Sequence, residues 1–370
     1  MKILVVVPYF DEPHRWMISG QKTAYQLAKN HEVVVVTTGA TAKVELKNNL
    51  KIYRLKDIFL PDPINYSFIP SLFGQIKKIV RVEKPSVALI NKHMFFTSLA
   101  VWPLKRLGLP VIVQTDTFPG INWFPKNKLV GAVMWLYARL IGNPVLRAAN
   151  RVVLLHEGLI RDAERLGLNY EVIHNGIDLE TFDATPPPKD LKKRPGEIWI
   201  GYVGRLESVK GWYDLAAVAR KMVKINPKLQ FFFVGPSEKA EERIKEFRHP
   251  QIHFLGLRHD VAGINKLLDI FVMPSLSEGL SNAIMEAMAA GSACVVSNVG
   301  GNLILIKEGA TGLTFPPGNL AALRRVLTKL IADQGLRLRL GHAARAAIVN
   351  SFQLKRTVSQ LSDRLEEIAK

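Results

Sequence analysis

The sequence predicts two successive α/β domains, each built on a doubly wound parallel sheet, and three observations carry that prediction. Short unbroken runs of β-branched and other apolar residues recur along the chain with helix-patterned stretches between them, the order that builds parallel sheets covered on both faces. The alternation stops at 186–196, where Pro186-Pro187-Pro188 and Lys192-Lys193-Arg194-Pro195-Gly196 make a polar, proline-rich break, and then begins again. The length of 370 residues, 48% of them hydrophobic, suffices for two full cores.

Taken in order, the chain opens with a strand over 3–7, a loop over 8–19, a helix-patterned stretch over 20–30 and a strand over 32–37. Strand, loop, helix, strand places a site at the first strand's carboxyl end, where Gly20 opens the helix-patterned stretch after a lone Ser19. Further strands are expected at 52–55, 87–91, 111–115, 151–155 and 171–174, with helices over 72–82 and 129–149 among them. Asn175-Gly176 reads as a turn, a pair that readily supplies positive φ. After the break, strands are expected at 199–203, 230–234, 252–255, 270–273 and 293–297. The segment 353–370 carries Leu354, Val358, Leu361, Leu365 and Ile368 on one helical stripe. The domains expected are therefore 1–183, 184–350 and a terminal helix, 351–370.

Chemistry concentrates in the second half. Over 282–290 a short helix is expected, with Ser281 at its N-cap and Gly291 beyond its end. Nearly all of it is apolar or small except Glu286, a carboxylate that in such a setting calls for specific donors such as sugar hydroxyls. Glu278 precedes it in the loop beside Gly279, where first-turn N–H groups attract anions. Directly after the strand over 199–203 comes Gly204-Arg205-Leu206-Glu207-Ser208-Val209-Lys210-Gly211. Two cations in one loop, with Gly204 leaving room, can hold one diphosphate.

These residues carry a family resemblance. Glu278 and Glu286 with seven residues between them, then Ala287-Met288-Ala289, Gly291 and Gly300-Gly301, together with the Gly204-to-Gly211 loop, resemble the donor site of retaining GT-B glycosyltransferases of family four. The resemblance implies two Rossmann-like domains facing across a cleft, the first for the acceptor and the second for the nucleotide sugar, with the terminal helix packed back on the first. It implies that Arg205 and Lys210 stabilise the departing nucleoside diphosphate and that Glu278 holds donor-sugar hydroxyls. By the same resemblance Glu286 holds the ribose, Gly279 and Leu280 offer backbone N–H groups to phosphate or sugar, and Gly235 and Gly256-Leu257-Arg258 flank the base. Two departures stand out. Ile304 occupies a position where the family usually has Glu, and Asp116, after the strand over 111–115, one where it usually has His; His93 is the nearest imidazole by pattern. An ionised Asp116 accepts hydrogen bonds only, so it is expected to grip a sugar hydroxyl through its proton.

Charge and cysteine bound the surroundings. Fifty Lys and Arg against 32 Asp and Glu give a net charge of +18. From 51 to 150 there are 14 basic residues against four acids, a field that favours phosphate-bearing partners. With Trp102, Phe118, Trp123, Phe124 and Trp135 among those charges, the expectation is peripheral binding to an anionic membrane at its cytoplasmic face and a lipid or lipid-linked acceptor. The first residues, MKILVVVPYF, read as a strand and not a signal peptide, and no window reaches the roughly 18 uncharged apolar residues of a membrane span. Cys294, the single cysteine, lies in an apolar run and suits a reducing compartment. No Asp-x-Asp and no metal-ligand spacing occurs, so neither metal nor cofactor is expected beyond the nucleotide sugar as co-substrate. A nucleotide-sugar epimerase or hydrolase on the same fold is the alternative; a nucleic-acid binder fits less well, because aromatic RNA-binding motifs and long basic helices are missing.

Overall fold

A computed structural model describes residues 1–11, 18–60, 66–118, 128–237 and 240–370, with the side chains of 18, 19 and 128–130 left aside. The expected Trp123 and Phe124 lie outside the described residues. The first-unit strands run β1 Lys2–Val6, β2 Glu32–Gly39, β3 Lys43–Lys47, β4 Leu50–Lys56, β5 Ile58–Leu60, β6 Tyr66–Phe68, β7 Val87–Asn91, β8 Val111–Thr115, β9 Arg151–Leu154 and β10 Tyr170–Val172. Those of the second are β11 Ile198–Val203, β12 Leu229–Val234, β13 Ile252–Gly256, β14 Ile270–Met273, β15 Ala293–Ser297 and β16 Leu313–Phe315.

The chain divides into two units, Met1–Asn175 with Leu354–Lys370, and Gly176–Gln353. In the first, eight strands run in the order β10-β9-β8-β7-β1-β2-β4-β3, parallel except for β3 against β4; β5 and β6 pair separately as an antiparallel hairpin. In the second, six parallel strands run β13-β12-β11-β14-β15-β16. Strand order reverses between β1 and β7 in one sheet and between β11 and β14 in the other. The loops leaving these strands diverge there, which opens a crevice at each sheet's carboxyl edge. Both sheets are therefore doubly wound and Rossmann-like, as the alternation of apolar runs predicts.

The boundary differs from the expected 183/184. Ile177 and Phe182 are buried in the second core, so the helix Leu179–Ala184 belongs to that unit. The proline-rich stretch is pinned to it as well: Lys193 Nζ lies 2.5 Å from the Asp269 carboxylate, and the Pro186 carbonyl lies where a side chain at Gly263 would stand. Neither Asn175 nor Gly176 adopts positive φ, so that turn is made by other means. At the far end the helix Leu354–Ala369 buries Leu354, Val358, Leu361 and Leu365 against Ile3, Val5, Leu89 and Ile112 of the first unit. The expected single helix over 129–149 is broken. It runs as Lys128–Tyr137, a π-helical turn Ala138–Gly142 and Asn143–Ala148; Gly142 packs so closely that a β-carbon there would lie 3.0 Å from Met94 Sδ and 3.2 Å from the His93 ring.

Candidate active site

The loops after β11 and β14 leave the second sheet where its strand order reverses, and they are tied to each other. Tyr202, fully buried in β11, donates its hydroxyl to the Arg205 carbonyl at 2.7 Å. A β-carbon at Gly204 would meet that hydroxyl at 2.9 Å, and one at Gly235 would meet the Gly204 carbonyl at 2.1 Å. Only glycine lets these backbones approach so closely. Further on, the Leu276 N–H donates to the Val209 carbonyl at 2.8 Å, joining the two loops. Gly211 sits at φ +69, and a β-carbon there would lie 1.9 Å from the Pro274 carbonyl oxygen.

That scaffold brings two predicted residues together. Lys210 Nζ lies 2.7 Å from Glu278 Oε1, although 68 positions separate them, and the Glu278 side chain is only 7% exposed. Ser275, fully buried, donates to the same oxygen at 3.0 Å. Beneath it, Ser297 Oγ donates to the Ser275 carbonyl at 2.5 Å and Asn302 Nδ2 to the Ser297 carbonyl at 2.9 Å. From the other side Gly300 and Gly301 press on the loop: their β-carbons would lie 2.0 Å from the Glu278 carbonyl oxygen and 2.3 Å from that of Gly279. Ile304 is half-buried against the core, and support of the loop falls to Asn302 and the two glycines. Glu286 stands half-buried on the helix Asn282–Ala289, whose N-cap Ser281 makes no side-chain cap bond.

The other residues expected at this site stand apart from the pair. Arg205 lies on Glu207 at 2.9 Å and is 41% exposed, free to exchange partners. Arg258 is committed elsewhere: its guanidinium bridges Asp260 and Asp190 with four bonds between 2.7 and 3.0 Å. Hydrogen bonds to Asp260 and then Asp190 raise its pKa further, and the two carboxylates hold the guanidinium in place.

In the first unit, polar side chains gather at the ends of β7, β8 and β9. Asp116 pairs with Lys92 Nζ, and its backbone carbonyl lies 3.2 Å from His156 Nε2. Burial pushes the Asp116 carboxyl upward, but the charge and hydrogen bond of Lys92, with His156 adding to them, leave its pKa below the ordinary value. The expected role for Asp116 took no account of this cation. His93 is buried, with Nδ1 2.8 Å from Thr115 Oγ1. That hydroxyl donates to the Thr117 carbonyl at 3.0 Å, so Nδ1 carries the proton toward it and Nε2 is a bare acceptor packed beside Gly142. Desolvation lowers its pKa to about 4, so the ring is neutral near pH 7. Gly20, in the helix Ile18–Leu27, has room for hydrogen only: a β-carbon would lie 2.9 Å from Val7 and 3.2 Å from Asn91. Of the aromatics expected at a lipid interface, Phe118 belongs to the core and Trp102 packs partly against it, while Trp135 is exposed. Among the described residues no group of three or more His, Cys, Asp or Glu is placed to hold a metal ion.

Sequence reasoning missed Ser275, Tyr202, Lys92 and His156. Lys92 follows directly on β7 and Ser275 lies two residues past β14, and that position was the available signal.

Comparison with known proteins extends this picture. Residues 185–347 match the family model for glycosyl transferases group 1, and residues 22–181 that for glycosyltransferase family 4. The chain is 26% identical over 332 residues to an Escherichia coli UDP-Gal:alpha-D-GlcNAc-diphosphoundecaprenol alpha-1,3-galactosyltransferase, covering 82% of this chain and 84% of that one. It is 25% identical to an Arabidopsis thaliana sulfoquinovosyl transferase, over 92% of this chain and 69% of the relative. Among solved structures it resembles sucrose-phosphate synthase of Thermosynechococcus elongatus, with a TM-score of 0.78 at 18% identity over 99% of both chains. It also resembles Anabaena HepE crystallised with UDP, with a TM-score of 0.76 at 14% identity over 99% of this chain and 100% of the other.

Proposed function

The chain belongs to the group 1 glycosyltransferases of GT-B fold, and from that premise we propose that it moves a sugar from a uridine diphosphate sugar to a lipid or lipid-linked glycan, with retention at the anomeric carbon. The observation that carries this reading is the contact of Lys210 with the buried Glu278 in a loop pinned on both sides. In the complex, the diphosphate takes Lys210 and draws Arg205 from Glu207, while Glu278 turns its freed oxygen to donor-sugar hydroxyls. The N–H groups of Gly279 and Leu280 meet phosphate or sugar, and Glu286 takes the ribose hydroxyls. Negative charge grows on the leaving phosphate as the bond to the anomeric carbon breaks, and two preorganised cations stabilise it there more than in the ground state. The acceptor oxygen forms the new bond on the same face, and its proton passes to the departing phosphate oxygen.

Support for a uridine nucleotide and a lipid-linked acceptor comes from the E. coli relative's stated substrates and from the UDP in the HepE crystals. Two measurements follow. Incubated with UDP-glucose or UDP-galactose and an undecaprenyl diphosphate-linked sugar, the protein is expected to release UDP and form a glycosylated lipid, undiminished by EDTA. Donor consumption without any glycosylated product contradicts transfer, and activity lost to EDTA and restored by magnesium contradicts the assignment of the leaving-group charge to Arg205 and Lys210.

The membrane part of the proposal rests on the first unit. Val133, Trp135, Leu136 and Leu140 are exposed on one helical segment, Arg139 stacks over Trp135 at 5.4 Å, and no acidic residue occurs between Asp116 and Glu157. No helix among the described residues is long and apolar enough to cross a membrane. In flotation assays the protein is expected to rise with phosphatidylglycerol vesicles at low salt, and Trp135→Glu to weaken that binding; a wild-type protein left at the bottom of the gradient removes the membrane claim.

A further inference from the structure

We propose that Lys92 is a positioning residue for the transfer reaction: it holds the Asp116 carboxylate, ionised and in one orientation, at the carboxyl edge of the first sheet. The inference rests on the glycosyltransferase reading above and on the expected role of Asp116, a carboxylate that accepts a hydrogen bond from a sugar hydroxyl. Lys92 follows β7 directly and sits at φ +70, a conformation that side chains other than glycine, asparagine and aspartate seldom adopt. Among the described residues the other non-glycine residues in that region are Asp11, Asn48, Asn49 and Lys84. The first three are types that tolerate it, and Lys84 is a helix C-cap. Lys92 has neither excuse.

What holds it is the neighbouring strand. The Lys92 N–H donates to the Gln114 carbonyl at 3.0 Å, and the preceding Asn91 Nδ2 donates to Gln114 Oε1 at 3.2 Å. With the backbone turned this way the ammonium reaches Asp116, two residues beyond Gln114, and is left only 14% exposed. An unusual backbone conformation held by specific bonds and spent on one ion pair, at the edge where α/β sheets place their ligands, is the signature of a preorganised group. Among the described residues the other titratable side chains facing the carboxylate are His93, from the same loop, and His156, after β9. Neither can replace the ammonium: His93 is held neutral, and burial lowers His156 as well.

The sign of the pH effect follows. Asp116 acts as a carboxylate, and Lys92 keeps its folded pKa below the ordinary value against the upward push of burial. Without the ammonium the carboxyl titrates higher, so the active form is lost at a higher pH on the acid side. Rates of UDP release from UDP-glucose or UDP-galactose, measured across pH for Lys92→Met, should show the acid limb moved up by about 1–2 pH units. Lys92→Arg should restore it. Asp116→Asn should abolish that limb and make Lys92→Met silent when the two are combined, and UDP affinity should be unchanged throughout. A uniform loss at every pH with the limb unmoved, a limb that survives Asp116→Asn, or a further loss in the double variant overturns the proposal. A carbon NMR titration of the Asp116 carboxyl needs no substrate: an unshifted titration in folded Lys92→Met also overturns it. Failure of the donor reading appears separately, as wild-type protein that binds no UDP, and the carboxyl titration then decides the Lys92 pair by itself.

Discussion

Lys210→Ala is expected to lower turnover by about 10²- to 10³-fold, the loss typical of removing one preorganised charged donor from a leaving group. The substitution also strands Glu278, whose buried carboxylate keeps only Ser275 as a bonded partner among the described residues. A buried charge without its partner costs stability in its own right, so the folded fraction must be measured alongside the rate. Lys210→Ala combined with Glu278→Gln separates the two effects. Neutralising the carboxylate should return the melting temperature toward wild type while turnover stays low, because the substrate then lacks both the ammonium and the carboxylate that hold it. Recovery of turnover in the double variant would mean that Lys210 serves the loop alone.

Gly211→Ala should be comparably damaging by a different route. The backbone there sits at φ +69, and a β-carbon would lie 1.9 Å from the Pro274 carbonyl oxygen, a backbone atom that cannot swing aside. A strained φ costs about 1–3 kcal/mol, and separating the two loops adds to it. Since Lys210 immediately precedes this glycine and Pro274 immediately precedes Ser275, the displacement also draws Lys210 away from Glu278. The expected result is a fall in stability of about 3 kcal/mol in urea unfolding, with turnover reduced at least tenfold in the protein that remains folded. Wild-type stability and rate would show that the loops do not need this close approach.

The doubly wound sheets were legible because buried parallel strands are written as continuous apolar runs: Val87–Asn91, Val111–Thr115, Ile270–Met273 and Ala293–Ser297 are found where the runs predict them. The antiparallel edge strand Lys43–Lys47 was not, since a solvent-facing edge carries lysines and reads as loop. Likewise no local pattern reveals the π-helical turn Ala138–Gly142, whose Gly142 packs against Met94 and His93 from elsewhere in the chain. Phe118 lies among charges in sequence and in the core in space. For the site, the residue types in the loop over 204–211 and around Glu278 were legible because each loop carries its own motif. That Lys210 and Glu278 touch, or that Lys92 neutralises Asp116, depends on which strands lie side by side, and that is a property of the sheet order. Arg258 shows the converse: its spacing suits a ligand contact, but Asp190 and Asp260 claim it.

The central claim is that the loops after β11 and β14 form the nucleotide site. Calorimetric titration of UDP into the wild-type protein and into Lys210→Ala tests it most directly. One UDP per chain is expected to bind saturably, weakened about tenfold or more by the substitution, in line with a charge-assisted bond to phosphate worth about 1.5–3 kcal/mol. Equal UDP affinity in the two proteins, with both folded, would contradict it.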